Sequence, residues 1–154
     1  MRIWSMEARP VTNEVRCPSC GRRNRVPTAA GGVPRCGVCH AALPWLVEAD
    51  DSTFDAVAVQ SPLPALIDLW APWCGPCRTV APVVEHLSVE KAGRLKVVKV
   101  NVDIAQQTAA RYQAMSIPTL LILSDGQVVD RIVGALPESD IRRRVDAVLS
   151  SGAS

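Results

Sequence analysis

Hydrophobic and polar positions change their pattern at about Leu43. After that point, short apolar runs alternate with stretches in which apolar residues recur every three or four positions. The runs are typical of strands covered on both faces, and the recurring stretches of amphipathic helices. Before that point Arg, Cys, Gly and Pro dominate and no apolar period is evident. The pattern predicts an α/β domain over residues 43–154 and a small N-terminal module over residues 1–42.

The periodic segments predict the order of elements in the α/β domain. We expect strands over 44–47, 65–70, 95–102, 119–123 and 127–133, and helices over 52–58, 75–89, 104–112 and from 137 onward. Ser52 is the expected cap of the first, short helix. The strand 65–70 is apolar except for Asp68, so it belongs in the centre of the sheet. Asp125 and Gly126 are typical of a tight hairpin, which makes the last two strands antiparallel.

All six cysteines occur in Cys-x-x-Cys pairs, at Cys17 and Cys20, Cys36 and Cys39, and Cys74 and Cys77. The third pair follows the central strand and opens a helix. Two thiols at such a turn can form and break a small disulfide ring, and the helix N-terminus favours a thiolate. This pair predicts a dithiol oxidoreductase.

The first two pairs, Cys17 with Cys20 and Cys36 with Cys39, predict a metal site. Fifteen residues separate them, which lies within the spacing of four-thiolate zinc sites. Four sulfurs complete a tetrahedral shell, so we expect one structural Zn²⁺ per chain, with His40 outside the shell. Two structural disulfides and an iron–sulfur cluster are the alternatives.

Charge divides the chain at the same place as hydropathy. Through His40 there are seven Arg and two Glu, a balance of +5, whereas the remainder carries ten basic and thirteen acidic residues, a balance of −3. The basic residues raise the alternative of a nucleic-acid adaptor, although Trp4 is the only aromatic residue before Leu43. Docking of client proteins, or sensing of oxidants by zinc release, are further possibilities for this module.

Targeting signals and membrane spans are not evident in the sequence. Charged residues interrupt Met1–Pro10, so this segment lacks the apolar stretch of a secretory signal, and Met6 is a second candidate for the natural start. The apolar runs are far shorter than the roughly 20 residues that cross a bilayer. We expect a cytoplasmic protein without a membrane anchor, since paired cysteines in a reducing compartment are typically metal ligands or catalytic thiols.

Several motifs together resemble the thioredoxin family. They are the Trp-Cys-Gly-Pro-Cys after an Asp-bearing strand, the Ile-Pro-Thr at 117–119, the Asp-Gly hairpin and Gly134. The resemblance covers residues 43 to about 149. With the two preceding cysteine pairs, the whole chain resembles the zinc-binding bacterial thioredoxins of the thioredoxin-2 type. The resemblance implies a thioredoxin fold, a central mixed sheet flanked by helices, with a small zinc-ribbon-like module.

The resemblance also implies roles in the reduction of protein disulfides. Cys74, at an exposed helix start, would attack the substrate disulfide, and Cys77 would resolve the mixed disulfide. Asp68 matches the buried family carboxylate that exchanges a proton with the deeper thiol through water, and Lys99 matches the lysine near it. A strand-end carboxylate that faces solvent is the alternative for Asp68.

A client-docking surface and partners follow from the same resemblance. Pro118 matches the family's cis-proline, although most X-Pro bonds are trans. The expected docking surface consists of Trp73, Gly75, Pro76, Ile117, Pro118 and Gly134. The implied partners are disulfide-containing client proteins and an NADPH-dependent thioredoxin reductase, and we expect a monomer. Because there is no Rossmann glycine fingerprint, the chain should bind neither nicotinamide nor flavin.

Overall fold

Two β-sheets organise residues 12–151, the part of the chain that this computed structural model describes. The expectations about a secretory signal, the start at Met6 and Trp4 lie outside these residues. The elements, in chain order, are β1 (Thr12–Arg16), β2 (Arg23–Pro27), β3 (Leu46–Ala49), a single helical turn α1 (Asp55–Val59), β4 (Ala65–Trp70), α2 (Gly75–Glu90), β5 (Lys96–Asn101), α3 (Gln106–Arg111), β6 (Thr119–Ser124), β7 (Gln127–Val133) and α4 (Glu138–Ser150).

The larger sheet has five strands in the order β3-β5-β4-β6-β7. β3, β5 and β4 are parallel, whereas β6 and β7 run antiparallel to their neighbours. β4 lies in the centre, as its apolar run predicts. Asp125 and Gly126 both have positive φ angles, which fits the expected tight hairpin between β6 and β7. This is the predicted mixed sheet flanked by helices.

The central strand alternates between two hydrophobic clusters. Leu66 packs on one face with residues of α2 and α4, whereas Ile67 and Leu69 pack on the other face. Because both faces of the strand are covered, its sequence is a nearly continuous apolar run rather than an alternation of apolar and polar residues. Asp68 lies on the face of Leu66, beneath α2.

The expected cap at Ser52 is wrong, because no side-chain hydrogen bond caps the start of α1. Asp50 instead organises the preceding turn, since its Oδ1 accepts hydrogen bonds from the backbone N–H groups of Ser52 and Thr53, at 3.0 and 3.1 Å. The run of Asp, Asp, Ser and Thr offers four residues that can cap, and hydropathy does not choose among them. The strand expected over 44–47 is β3, which starts two residues later than expected, at Leu46.

The four-cysteine module packs against the α/β domain. Cys17, Val26 and Cys36 belong to the same hydrophobic cluster as Trp45 and Ile67. The division at Leu43 therefore remains a prediction, because core residues from both sides of it share one cluster.

Two side chains of the α/β domain bind backbone carbonyls of the module. Trp45 donates its indole N–H to the carbonyl of Pro27 at 2.8 Å. Lys96, fully buried over the Trp45 ring, donates from Nζ to the carbonyls of Thr28 and Val57, at 2.6 and 2.7 Å. Lys96 thereby ties the module to α1. Among residues 12–151, no helix is both long and apolar enough to cross a membrane.

Candidate active site and metal centre

The third cysteine pair lies where the central strand leads into α2. Cys74 caps the helix, and its Sγ accepts the backbone N–H of Cys77 at 3.1 Å. The two cysteines form a disulfide, with Cα atoms 5.3 Å apart. Pro76 lies in the first turn, where a missing N–H costs no helical hydrogen bond. The amide contact and the helix dipole both stabilise negative charge on Cys74 when the pair is reduced.

Cys74 is more enclosed than the sequence predicted. It is 4% exposed, so the expectation of an accessible Cys74 is wrong, whereas Cys77, the deeper thiol, is 3% exposed. Ala71 and Ile117 pack against the pair and cover it. By contrast, Gly75 and Pro76, the first residues of α2, are exposed.

The loop before β6 brings further predicted residues to the cysteine pair. The Ile117–Pro118 peptide bond is cis, as the resemblance implied. The carbonyl oxygen of Ile117 lies 3.8 Å from Sγ of Cys74. Gly134, with a φ of 96°, donates its N–H to the carbonyl of Pro118 at 2.9 Å. These three residues thus lie together beside Cys74.

Trp73 projects from the same edge. Its side chain is 67% exposed, and its indole N–H lies 3.1 Å from both carboxylate oxygens of Asp103. The Asp103 contact was not predicted, because thirty positions separate the two residues and no local pattern links them. Arg78 donates to the carbonyl of Pro72 at 2.9 Å and so supports the turn that precedes Trp73.

Asp68 and Lys99 lie behind the cysteine pair. Asp68 is 1% exposed, which excludes the solvent-facing alternative. Neither of its oxygens has a hydrogen-bond partner among the described residues, and Nζ of Lys99 is 4.0 Å from Oδ2. Burial raises the pKa of Asp68 to about 6, and the charge of Lys99 acts in the opposite direction. The Lys99 ammonium also lies 5.0 Å from the Trp70 ring.

A small cavity lies between Lys99 and the active pair. Its volume is about 100 Å³, and its lining includes Cys77, Arg78, Trp70 and Lys99. Arg78 and Lys99 give this space charged lining groups, and a space of this size can hold water that bridges groups too far apart for direct contact.

The first two cysteine pairs converge on one point. All four Sγ atoms, from Cys17, Cys20, Cys36 and Cys39, lie within 4.8 Å of one another. Sγ of Cys17 is 3.5 Å from Sγ of Cys39, and Sγ of Cys20 is 3.6 Å from Sγ of Cys36. A tetrahedral Zn²⁺ with sulfur ligands at about 2.3 Å places its sulfurs about 3.8 Å apart. The donor set and its spacing therefore fit zinc.

The two cysteine turns have matching geometry. Gly21 and His40 each follow the second cysteine of a pair, and both have positive φ angles, 80° and 65°. Each donates its N–H to the carbonyl of the first cysteine of its pair, at 2.9 and 3.0 Å. His40 thus has a backbone role in the turn, consistent with its exclusion from the expected ligands.

Asn24 joins the two turns and was not predicted. Its Oδ1 accepts the N–H of Gly37 at 3.0 Å, and its amide nitrogen lies 3.6 Å from Sγ of Cys36. The backbone N–H groups of Cys39 and Val38, together with Asn24, lower the pKa of Cys36 to about 6. The surroundings of this sulfur favour its ionised form.

A dithiol at the start of a helix, at the carboxyl end of a central parallel strand, defines a thiol–disulfide oxidoreductase. The sequence profile described as Thioredoxin matches residues 45–147. The chain therefore belongs to the thioredoxin family, and it is a protein-disulfide oxidoreductase with Cys74 and Cys77 in the active-site position.

Similar proteins come from distant organisms. A thioredoxin of Haemophilus influenzae is 51% identical over 92 residues, which cover 60% of this chain and 86% of that protein. A thioredoxin of Bacillus subtilis is 46% identical over 101 residues, 66% of this chain and 95% of that protein. A chloroplastic M-type thioredoxin of Chlamydomonas reinhardtii is 39% identical over 129 residues, 84% of this chain and 91% of that protein. The match to this profile begins at residue 45, after the four clustered cysteines Cys17, Cys20, Cys36 and Cys39.

Proposed function

We propose that this protein is a zinc-bearing thioredoxin that reduces disulfides of client proteins, with electrons from NADPH delivered by a separate thioredoxin reductase. The observation that carries the proposal is the presence of two distinct sulfur sites in one chain. One is a pair at a helix start near a buried carboxylate, and the other is a four-sulfur cluster with tetrahedral spacing.

Reduction proceeds in two exchanges. The thiolate of Cys74 attacks one sulfur of the client disulfide, forms a mixed disulfide and expels the other client sulfur as a thiolate. Cys77 then attacks Sγ of Cys74 and releases the second client sulfur. Two electrons pass to the client, and the Cys74–Cys77 disulfide remains. The contact from the Cys77 amide to Sγ of Cys74 supports the attacking thiolate.

Asp68 exchanges the proton of Cys77 through water, for which the small cavity lined by Cys77 and Lys99 provides space. Its carboxyl group, with a pKa of about 6, can release and accept a proton near neutral pH. Lys99 lies on the same cavity and limits the cost of ionising Asp68.

The client docks at the exposed start of α2, beside the cysteine pair. We assign this surface to the predicted residues around the pair, Trp73, Gly75, Pro76, Ile117, Pro118 and Gly134. An extended client segment can form hydrogen bonds with the backbone of Ile117, which is half-buried beside the buried Pro118, as in other strand-addition complexes.

One Zn²⁺ held by Cys17, Cys20, Cys36 and Cys39 closes the module. It supplies a structural cross-link for a segment that has little core of its own, and the four sulfurs leave no open position for catalysis.

The Arg residues of the module raised the alternative of nucleic-acid binding. Arg16 and Arg35 donate to carbonyls of their own cysteine turns, and Arg23 pairs with Glu14 at 3.4 Å. These contacts favour a structural role for the charges over nucleic-acid binding.

The cysteine chemistry also favours a reducing location. A free dithiol and a four-thiolate metal site both persist where glutathione and related systems keep thiols reduced. We propose a cytoplasmic monomer.

Two measurements test this function. In an insulin-reduction assay with NADPH and thioredoxin reductase, the parent protein should accelerate precipitation of the reduced chains, and Cys74→Ser should fall to the protein-free rate. Undiminished activity of Cys74→Ser would contradict the assignment. Elemental analysis should find about one zinc per chain, lost in Cys17→Ser/Cys36→Ser. Cytoplasmic protein that is metal-free and holds its four module cysteines as disulfides would contradict the zinc proposal.

A further inference from the structure

Lys99 lies next to Asp68 without forming a hydrogen bond to it. The ammonium nitrogen is 4.0 Å from the nearer carboxylate oxygen, and that carboxylate has no hydrogen-bond partner among the described residues. A charge-assisted hydrogen bond would bring the two atoms to about 2.8 Å and satisfy a buried oxygen. The flexible lysine stem permits such a contact. The 4.0 Å separation leaves the ammonium open to the influence of charges on its other side.

The sheet register places a second carboxylate on that side. Asp68 is paired with Lys99 across β4 and β5, and Lys99 is paired with Glu48 across β5 and β3. Residues paired in register on parallel strands project to the same face of the sheet. Glu48, Lys99 and Asp68 thus form one row with the cation in the middle. Glu48 is exposed, whereas Asp68 is buried.

Lys99 also lines a second, larger cavity, together with Glu48. This cavity has a volume of about 460 Å³ and lies between β1, β3 and α2. Its other charged lining residues are Glu14 and Arg16 from β1 and Glu85 from α2. On the opposite side, Arg78 is the other charged residue that lines the small cavity at Cys77. Glu14 is paired with Arg23 at 3.4 Å, which leaves Glu48 and Glu85 against Arg16. The remaining net negative charge attracts the ammonium away from Asp68.

We propose that Glu48 is a positioning residue for the redox site, whose carboxylate draws the Lys99 ammonium toward the larger cavity and limits its support of the ionised Asp68. The inference rests on the roles proposed above for Asp68 and Lys99. Because β1 forms one wall of this cavity, the four-cysteine module borders the same group of charges. Glu48 therefore acts on proton exchange with Cys77 through Lys99, without contact to the client.

Titration of the Asp68 carboxyl carbon by NMR in the oxidised protein tests this role. In Glu48→Gln the competing charge is gone, and the Asp68 midpoint should fall by roughly 0.3 to 1 pH unit, as expected for one charge two strands away. The matched control Asp125→Asn removes the same charge at the β6–β7 turn and should leave the midpoint unchanged. The pH profile of insulin reduction should move in the same direction as the midpoint in Glu48→Gln.

Lys99→Met separates the inference from the function on which it rests. This variant should raise the Asp68 midpoint, and Glu48→Gln should have less than half its effect in the Lys99→Met background. An unchanged or raised midpoint in Glu48→Gln would overturn the inference alone, provided that Lys99→Met raises it. An undiminished Glu48→Gln effect without Lys99 would also overturn it, because Glu48 would then act directly on Asp68. An unchanged midpoint in Lys99→Met would contradict the Asp68–Lys99 pairing itself and, with it, the inference.

Discussion

Replacement of Asp68 by Asn should stabilise the oxidised protein at neutral pH. Asn has the shape of a protonated Asp and cannot ionise, so the substitution isolates the cost of burying a carboxylate. The site offers little compensation for that charge, because no hydrogen bond reaches either oxygen from the described residues and Lys99 remains 4.0 Å away.

The magnitude follows from the pKa of Asp68. Burial raises this pKa from an ordinary value of 3.8 to about 6 in the folded protein. Between these values the folded state binds more protons than the unfolded state, so stability falls as the pH rises through this window. At 1.36 kcal/mol per pKa unit, the full cost above pH 6 is about 3 kcal/mol. Below pH 4 the cost disappears, since both states are protonated.

Urea unfolding of the parent and Asp68→Asn at pH 4.0 and pH 7.5 measures this cost. The stability advantage of Asp68→Asn should be about 2 to 3 kcal/mol larger at pH 7.5 than at pH 4.0. Asp125→Asn, an exposed turn substitution, is the control and should change by less than about 0.5 kcal/mol between the two conditions. A stability advantage of Asp68→Asn that does not depend on pH would contradict a charge penalty at Asp68, because packing rather than charge would then account for the advantage.

Two further substitutions test how the chain is held together. Trp45→Phe removes the indole donor to the Pro27 carbonyl and should cost about 1 to 2 kcal/mol in urea unfolding. With the proposed Zn²⁺ bound, its exchange should also be faster; unchanged stability and exchange would show that this hydrogen bond does not hold the module. Gly93→Ala adds a Cβ only 2.8 Å from Cβ of Ala42 at a residue with a φ of 85°, and should cost about 2 to 4 kcal/mol. A loss below about 0.5 kcal/mol would show that the chain relaxes freely at this turn.

Local patterns in the sequence were sufficient to predict most of the α/β domain. The continuous apolar run identified β4 as the central strand, and the Asp-Gly pair identified the hairpin, because each depends on neighbouring residues. The cysteine pair at the start of α2 was recognisable for the same reason. The cap at Ser52 was wrong because adjacent Asp, Ser and Thr side chains compete for the same backbone N–H groups, and only the folded turn decides between them.

Contacts between distant segments could not be predicted in this way. In the sequence, Lys96 is a polar residue in a predicted strand with no sign of a partner. Its hydrogen bonds to the carbonyls of Thr28 and Val57 depend on how distant segments pack together. The Trp73–Asp103 contact joins the ends of two neighbouring strands. The position of Glu48 beside Lys99 depends on the register of β3, which hydropathy does not fix to the residue.

In the proposed mechanism Cys74 attacks the client disulfide and Cys77 resolves the product. Mass spectrometry of Cys77→Ser, incubated with a peptide that contains one disulfide, separates these two roles. We expect a long-lived mixed disulfide between the peptide and Cys74, since the resolving thiol is absent. A peptide bound to a cysteine of the module, or no covalent product while the parent protein reduces the same peptide, would contradict it.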